Sequence, residues 1–122
     1  MTQPKLEKPR YDWTKAAKII NESGKLLQSQ LGDEIITTGD IEKEVERLGF
    51  YKRYSVPPSD FCYNLINKYP GSFCILLFEW VERGKYRYLG PRFNYSGSIY
   101  WKGKIVGKWQ NGAYELWEDP RN

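Results

Sequence analysis

Histidine is absent from this 122-residue sequence, and only two cysteines occur, Cys62 and Cys74. A mixed cysteine–histidine zinc site is thereby excluded, and two cysteines cannot complete a four-cysteine one. A catalytic cysteine would have no imidazole base beside it. Both thiols therefore read as small buried hydrophobes in a reducing compartment. Long apolar runs are missing too. The longest, Phe73 to Phe78, has the length of a strand and falls far short of the roughly 18 residues of a membrane span. The polar N-terminus carries no apolar segment of the kind a signal peptide needs, so the expected location is cytoplasmic, with no membrane partner. Phosphate-binding glycine loops and a Ser/His/Asp set are also lacking.

The most informative absence is local. From Arg83 to Asn111, in RGKYRYLGPRFNYSGSIYWKGKIVGKWQN, there is no Asp or Glu, against seven Lys or Arg. Aromatic residues alternate with the basic ones: Tyr86, Tyr88, Phe93, Tyr95, Tyr100, Trp101 and Trp109. Such a segment can bind a polyanion, with charges on phosphates and rings stacked on bases. It can equally be a twisted antiparallel sheet with Lys and Arg on its wet face, where they protect edge strands. Charge is uneven along the whole chain. Residues 1–49 carry eight basic and nine acidic side chains, residues 50–122 eleven and six, within a net charge of +4. The basic half is either a working face or a solubilising surface.

What is present is globular: 40% hydrophobic, 28% charged and 16% aromatic residues. The expectation is a polar leader over 1–10 and a single α+β domain over 11–119. Trp13, Ala17, Ile20, Gly24, Leu27 and Leu31 recur at helical spacing and predict a first helix, with Ser23-Gly24 a place where it could kink. Glu34 to Thr37 suggest a brief strand. Thr37 or Thr38 then caps a second helix whose buried face is Ile41, Val45 and Leu48. A third helix is expected from Pro58 or Ser59 to Lys68. From Phe73 the period changes to two. Strands are expected over Phe73–Val81, Lys85–Leu89, Ile99–Lys102, Lys104–Gln110 and Ala113–Trp117, the last two joined at Asn111-Gly112, a strong hairpin signal. The predicted architecture is three N-terminal helices in winged-helix-like order, followed by a four- to five-stranded antiparallel sheet.

In that arrangement Asn64, Asn67 and Lys68 on the third helix, with Lys52 and Arg53 before it, could meet base edges and phosphates. Lys85, Arg87, Arg92, Lys104 and Lys108 could follow a backbone, with Tyr95 and Trp101 stacking on bases. Lys104 and Lys108 are predicted to share one strand face, and Trp109 and Tyr86 to turn inward. The expected function is a non-enzymatic nucleic-acid-binding module, DNA or RNA, without a cofactor or metal. A second reading is a small regulatory or phage-encoded protein that binds a protein partner, since Arg and aromatics are also what protein interfaces enrich. The enzyme reading is a Mg²⁺-dependent nuclease built on Glu79, Glu82, Glu115 and Glu118. On a regular strand, however, Glu79 and Glu82 would face opposite sides.

Pro58-Ser59-Asp60-Phe61-Cys62-Tyr63-Asn64, with Tyr86-Arg87-Tyr88-Leu89-Gly90 and Tyr95-Ser96-Gly97, resembles a small uncharacterised bacterial domain, over about Ser55 to Gly112. The resemblance implies a domain found alone or appended to nuclease- or restriction-type proteins. It implies no catalytic residue.

Overall fold

The computed structural model describes residues 13–32, 35–49, 57–66 and 75–117. Helix α1 runs from Trp13 to Leu31 without a break. Ala16, Ala17, Ile19, Ile20, Ser23 and Leu27 form its buried stripe. The Ser23 hydroxyl donates to the Ile19 carbonyl at 2.9 Å, so the buried polar group is satisfied within the helix. Gly24 does not kink the helix. It makes room for the ring of Tyr88, which lies 2.3 Å from where a Cβ would stand. Asn21 accepts from the Tyr88 hydroxyl, and the Gln28 amide donates to the Tyr88 carbonyl at 3.1 Å. Helix α1 thus lies against the strand that carries Tyr88.

Strand β1 is Ile36–Thr37 and helix α2 is Thr38–Arg47. Thr37 caps α2 in a reciprocal pair: its hydroxyl accepts from the Asp40 amide, and Asp40 accepts from the Thr37 amide, both at 3.1 Å. Ile41 and Val45 are buried, whereas Leu48, expected on the same face, is exposed past the helix end.

The later chain forms two three-stranded antiparallel sheets. In the first, β1, β2 (Phe78–Glu82) and β3 (Lys85–Tyr88) lie in the order β1-β3-β2. In the second, β4 (Gly97–Trp101), β5 (Lys104–Gln110) and β6 (Ala113–Leu116) follow chain order. Two-residue turns with positive φ at both central residues, Lys102-Gly103 and Asn111-Gly112, join the last three strands. The expected single sheet of four or five strands is therefore replaced by two sheets. The first strand, predicted from Phe73, begins at Phe78, with residues 67–74 outside the described part.

The expected third helix, and with it the winged-helix order, is overturned as well. Among the described residues of that span, Pro58–Phe61 form a short 3-10 helix, Cys62 is extended, and isolated bridges at Cys62 and Leu65 flank a bend at Tyr63 and Asn64. The reason lies in what surrounds it. In this form the segment pairs with both sheets in parallel fashion: Cys62 opposite Phe78 and Leu65 opposite Tyr100. Leu77 N–H donates to Phe61 O at 2.8 Å and Tyr63 N–H to Phe78 O at 2.9 Å. On the other side Ile66 N–H donates to Tyr100 O, and Tyr100 N–H to Asn64 O, both at 2.9 Å. A helix would keep these groups for itself and leave two inner sheet edges unpaired.

The same segment supplies both cores. Phe61 and Cys62 join Ile20, Ile36, Ile41, Leu77, Phe78, Tyr86 and Tyr88 beneath the helices. Tyr63 and Ile66 join Tyr95, Ile99, Val106 and Trp109 on the second sheet. Burial raises the Cys62 thiol well above its ordinary pKa, with the charges of Asp60 and Glu79 adding to it, which leaves an unreactive core thiol.

Candidate functional site

The loop between β3 and β4 is the most irregular piece of surface, and it is held from several sides. Leu89 and Gly90 both donate their N–H to Leu77 O, at 2.8 and 3.0 Å. Tyr63, fully inside, donates its hydroxyl to Gly90 O at 2.7 Å and accepts from Phe93 N–H at 2.9 Å. Further on, Gly112 N–H donates to Tyr95 O at 3.0 Å, and Asn111 N–H to the Ser96 hydroxyl at 2.9 Å. Pro91 to Asn94 therefore stand out from a fixed base, and all four are exposed.

This loop separates two clefts. The first, about 640 Å³, is lined by Arg92, Phe93 and Asn94 on one side, by Ile75 and Leu76 on another, and by Tyr63 and Trp109 at the floor. The floor is an aromatic cluster. Tyr63 stacks on Tyr95 with centroids 5.4 Å apart and meets Trp109 edge-on, also at 5.4 Å. The Trp109 indole N–H donates to Tyr63 O at 2.6 Å. The second cleft, about 370 Å³, is lined by Gln28, Ile36, Arg87, Tyr88, Leu89 and Phe93. Neither lining includes an Asp or Glu among the described residues. Arg92 has φ +57, a conformation that costs a non-glycine residue roughly 1–2 kcal/mol.

The residues singled out from sequence do not converge. Lys52, Arg53, Asn67 and Lys68 lie outside the described residues. Asn64, expected on an open helix face, is buried, and its carboxamide bonds both backbone groups of Trp80 at 2.8 Å. Tyr95 is buried, and its hydroxyl donates to Glu79 at 2.8 Å. Lys85 and Arg87 point outward as alternation predicts, yet each carries an acid: Glu82 lies 2.6 Å from Lys85, and Glu79 3.2 Å from Arg87. Trp101 is half-buried and has the Lys102 ammonium 4.9 Å over its ring. Lys104 and Lys108 are both exposed but take opposite sides of the ladder. The register skips Val106, so Lys108 stands across from Ser98 and Lys104 across from Trp101. Ser98 and Trp101 are three residues apart on one regular strand, and so face opposite ways. Among the eight described candidates, Arg92 keeps the exposed loop position expected of it and lines the first cleft, and Arg87, exposed on β3, lines the second.

A second bulge corrects the carboxylate geometry. The pairing of β2 with β3 skips Val81, so Glu79 opposes Arg87 and Glu82 opposes Lys85. Both acids consequently face the same side, where each is held by its basic partner. Glu115 sits across from Lys108 on the other sheet, and Glu118 lies outside the described residues. Among the described residues no three His, Cys, Asp or Glu side chains gather as metal ligands would. Composition marks Phe93 only as one of the aromatics of the basic stretch, with no site role, and Asn94 is a cleft residue that composition does not single out. Only alternation failing after Pro91 hints that they belong to a loop and not to a strand.

Two buried phenols near this site make stability sensitive to alkali. Tyr86 is pushed up to about 12, chiefly by burial, with Ser59 and Thr38 hydroxyls opposing the shift. Tyr95 is raised further by burial and by the Glu79 carboxylate its hydroxyl donates to. An unfolded tyrosine ionises near pH ~10. Because the folded values lie higher, both phenols contribute in full below pH ~10, and that contribution falls as pH rises, being lost through about 12 for Tyr86 and only above that for Tyr95. The urea midpoint is expected to fall over that window, with tyrosinate absorbance appearing alongside unfolding. A flat midpoint there would contradict the burial of both rings.

A family model described as a domain of unknown function (DUF7225) matches residues 18–116. The uncharacterized protein YnaC of Bacillus subtilis (strain 168) is 36% identical over 92 residues, which cover 70% of this chain and 35% of that protein. The chain thus spans about a third of the length of the curated relative it matches. No solved structure matches the chain. No described helix is long and apolar enough to cross a membrane.

Proposed function

The chain belongs to the DUF7225 family, and we propose that it is a non-enzymatic nucleic-acid-binding module whose contact surface is the Pro91–Asn94 loop with the clefts on either side. One observation carries this reading. Arg92, Phe93 and Asn94 project from a hydrogen-bonded base over an aromatic floor, in linings that hold no Asp or Glu among the described residues. A guanidinium suits a phosphate, and exposed ring edges and carboxamides suit a base. That Arg92 occupies a backbone position glycine would hold more easily points the same way, because strained residues collect at ligand sites. The match to a third of a longer bacterial relative fits a module that serves other segments. Attachment to nuclease-type proteins is part of the proposal.

The test separates side chain from fold. Arg92→Gly is expected to keep or raise the thermal midpoint, since it relieves the φ strain. It is also expected to weaken binding of short labelled oligonucleotides, read by fluorescence anisotropy, and to lower the salt slope by about 1. Binding that is absent at low salt, or that does not decline as salt rises, contradicts the electrostatic reading. A protein partner is the second reading, supported by Ile105, Tyr114 and Trp117, which are 46%, 51% and 61% exposed on β5, β6 and just beyond. Large apolar side chains left exposed on a sheet and its flank are what a partner surface covers.

A further inference from the structure

We infer that the site takes a single strand and that Phe93 stands as a wedge between two consecutive bases, one in each cleft. This rests on the nucleic-acid reading above and sharpens it. Phe93 is the side chain common to both linings, and it is 43% exposed. Its position is fixed. The amide is held by the Tyr63 hydroxyl at 2.9 Å, and the ring meets Tyr63 edge-on with centroids 6.4 Å apart. A ring anchored at one edge and open elsewhere is suited to contact a base on each side.

The two clefts offer matching groups on either side of such a wedge. Both are open surface clefts, about 640 and 370 Å³, roomy enough to take one face of a base. Each also has one arginine and one carboxamide: Arg92 with Asn94 in the first, Arg87 with Gln28 in the second. Arg87 keeps its contact with Glu79 and is still half exposed, so Arg92 carries more of the phosphate contact. Base pairing in a duplex keeps consecutive bases stacked on each other and closes the gap a wedge needs. A splayed single strand offers both faces at no such cost.

The experiment compares three forms of one sequence, a single strand, its duplex and an abasic strand, against the full chain and against Phe93→Ala and Phe93→Trp. The single strand is expected to bind at least about tenfold tighter than the duplex. Phe93→Ala should weaken it roughly 5- to 150-fold, the range for loss of one stacked base, and Phe93→Trp should restore it. Thermal midpoints of both variants near that of the parent show that the fold is intact. If the duplex or the abasic strand binds as well as the normal single strand, the wedge is wrong while the charge-based reading stands. If Phe93→Ala binds as the parent does, the wedge is wrong as well. Absence of binding by every form removes the nucleic-acid reading itself, and the wedge with it.

Discussion

Asn64→Ala is expected to lower the free energy of unfolding by roughly 2–5 kcal/mol, because it strips partners from two backbone groups of one residue. The Asn64 carboxamide donates to Trp80 O and accepts from Trp80 N–H, each at 2.8 Å, and Asn64 itself is 6% exposed. Its own carbonyl accepts from Tyr100 N–H at 2.9 Å. One residue thus ties β2 of the first sheet to β4 of the second, with its side chain serving as an extra rung. Alanine leaves the part-buried Trp80 amide and carbonyl without the partner that Asn64 supplies. Leucine would match the volume and leave the same groups unsatisfied, so it should cost no less. Chemical denaturation gives the size of the effect, and hydrogen exchange locates it: the Trp80 amide should lose protection before its neighbours on β2. A loss under about 1 kcal/mol, or unchanged exchange at Trp80, would show that the two sheets are joined by other means.

Gly107→Ala is expected to destabilise by about 3 kcal/mol or more, the upper end for forcing atoms into a packed region. A Cβ at Gly107 would lie 2.3 Å from the Glu115 carbonyl oxygen and 3.0 Å from Leu116 Cα. Both are backbone of the neighbouring strand, so no side-chain rotation relieves the contact. The β5–β6 ladder itself must part, in the region where Val106 and Leu116 close the second core. Gly39→Ala is the control. Gly39 lies in the first turn of α2 with only the Thr37 hydroxyl oxygen within 4 Å, at 3.8 Å. Alanine there should gain up to about 1 kcal/mol through helix propensity. Equal, small effects at both positions would mean that β5 and β6 do not approach as closely as described.

The local elements were legible in the residue pattern, because local chemistry dictates them. Three- and four-residue spacing in residues 13–31 specifies α1, the Thr37–Asp40 pair specifies the start of α2, and Asn111-Gly112 specifies a two-residue hairpin. The inward turn of Tyr86 and Trp109 followed from alternation, and both are buried. Membership of an uncharacterised bacterial domain family was legible in the short motifs around Asp60, Arg87 and Ser96. Tertiary structure decided the rest, and the reason is the same each time: backbone groups of distant strands had to be satisfied. Residues 58–66 carry apolar spacing compatible with a helix, but β2 and β4 each offer an open edge, and the bridged chain satisfies both. That choice removes the reading helix and turns Asn64 from a surface candidate into a core strut. Bulges at Val81 and Val106 have no signature in the one-dimensional pattern, yet they bring Glu79 and Glu82 to one face and separate Lys104 from Lys108. Composition marked residues 83–111 as basic and aromatic. Only the pairing of strands showed which rings are core and which charges are already matched, and it left Arg92 exposed on a loop beside a cleft.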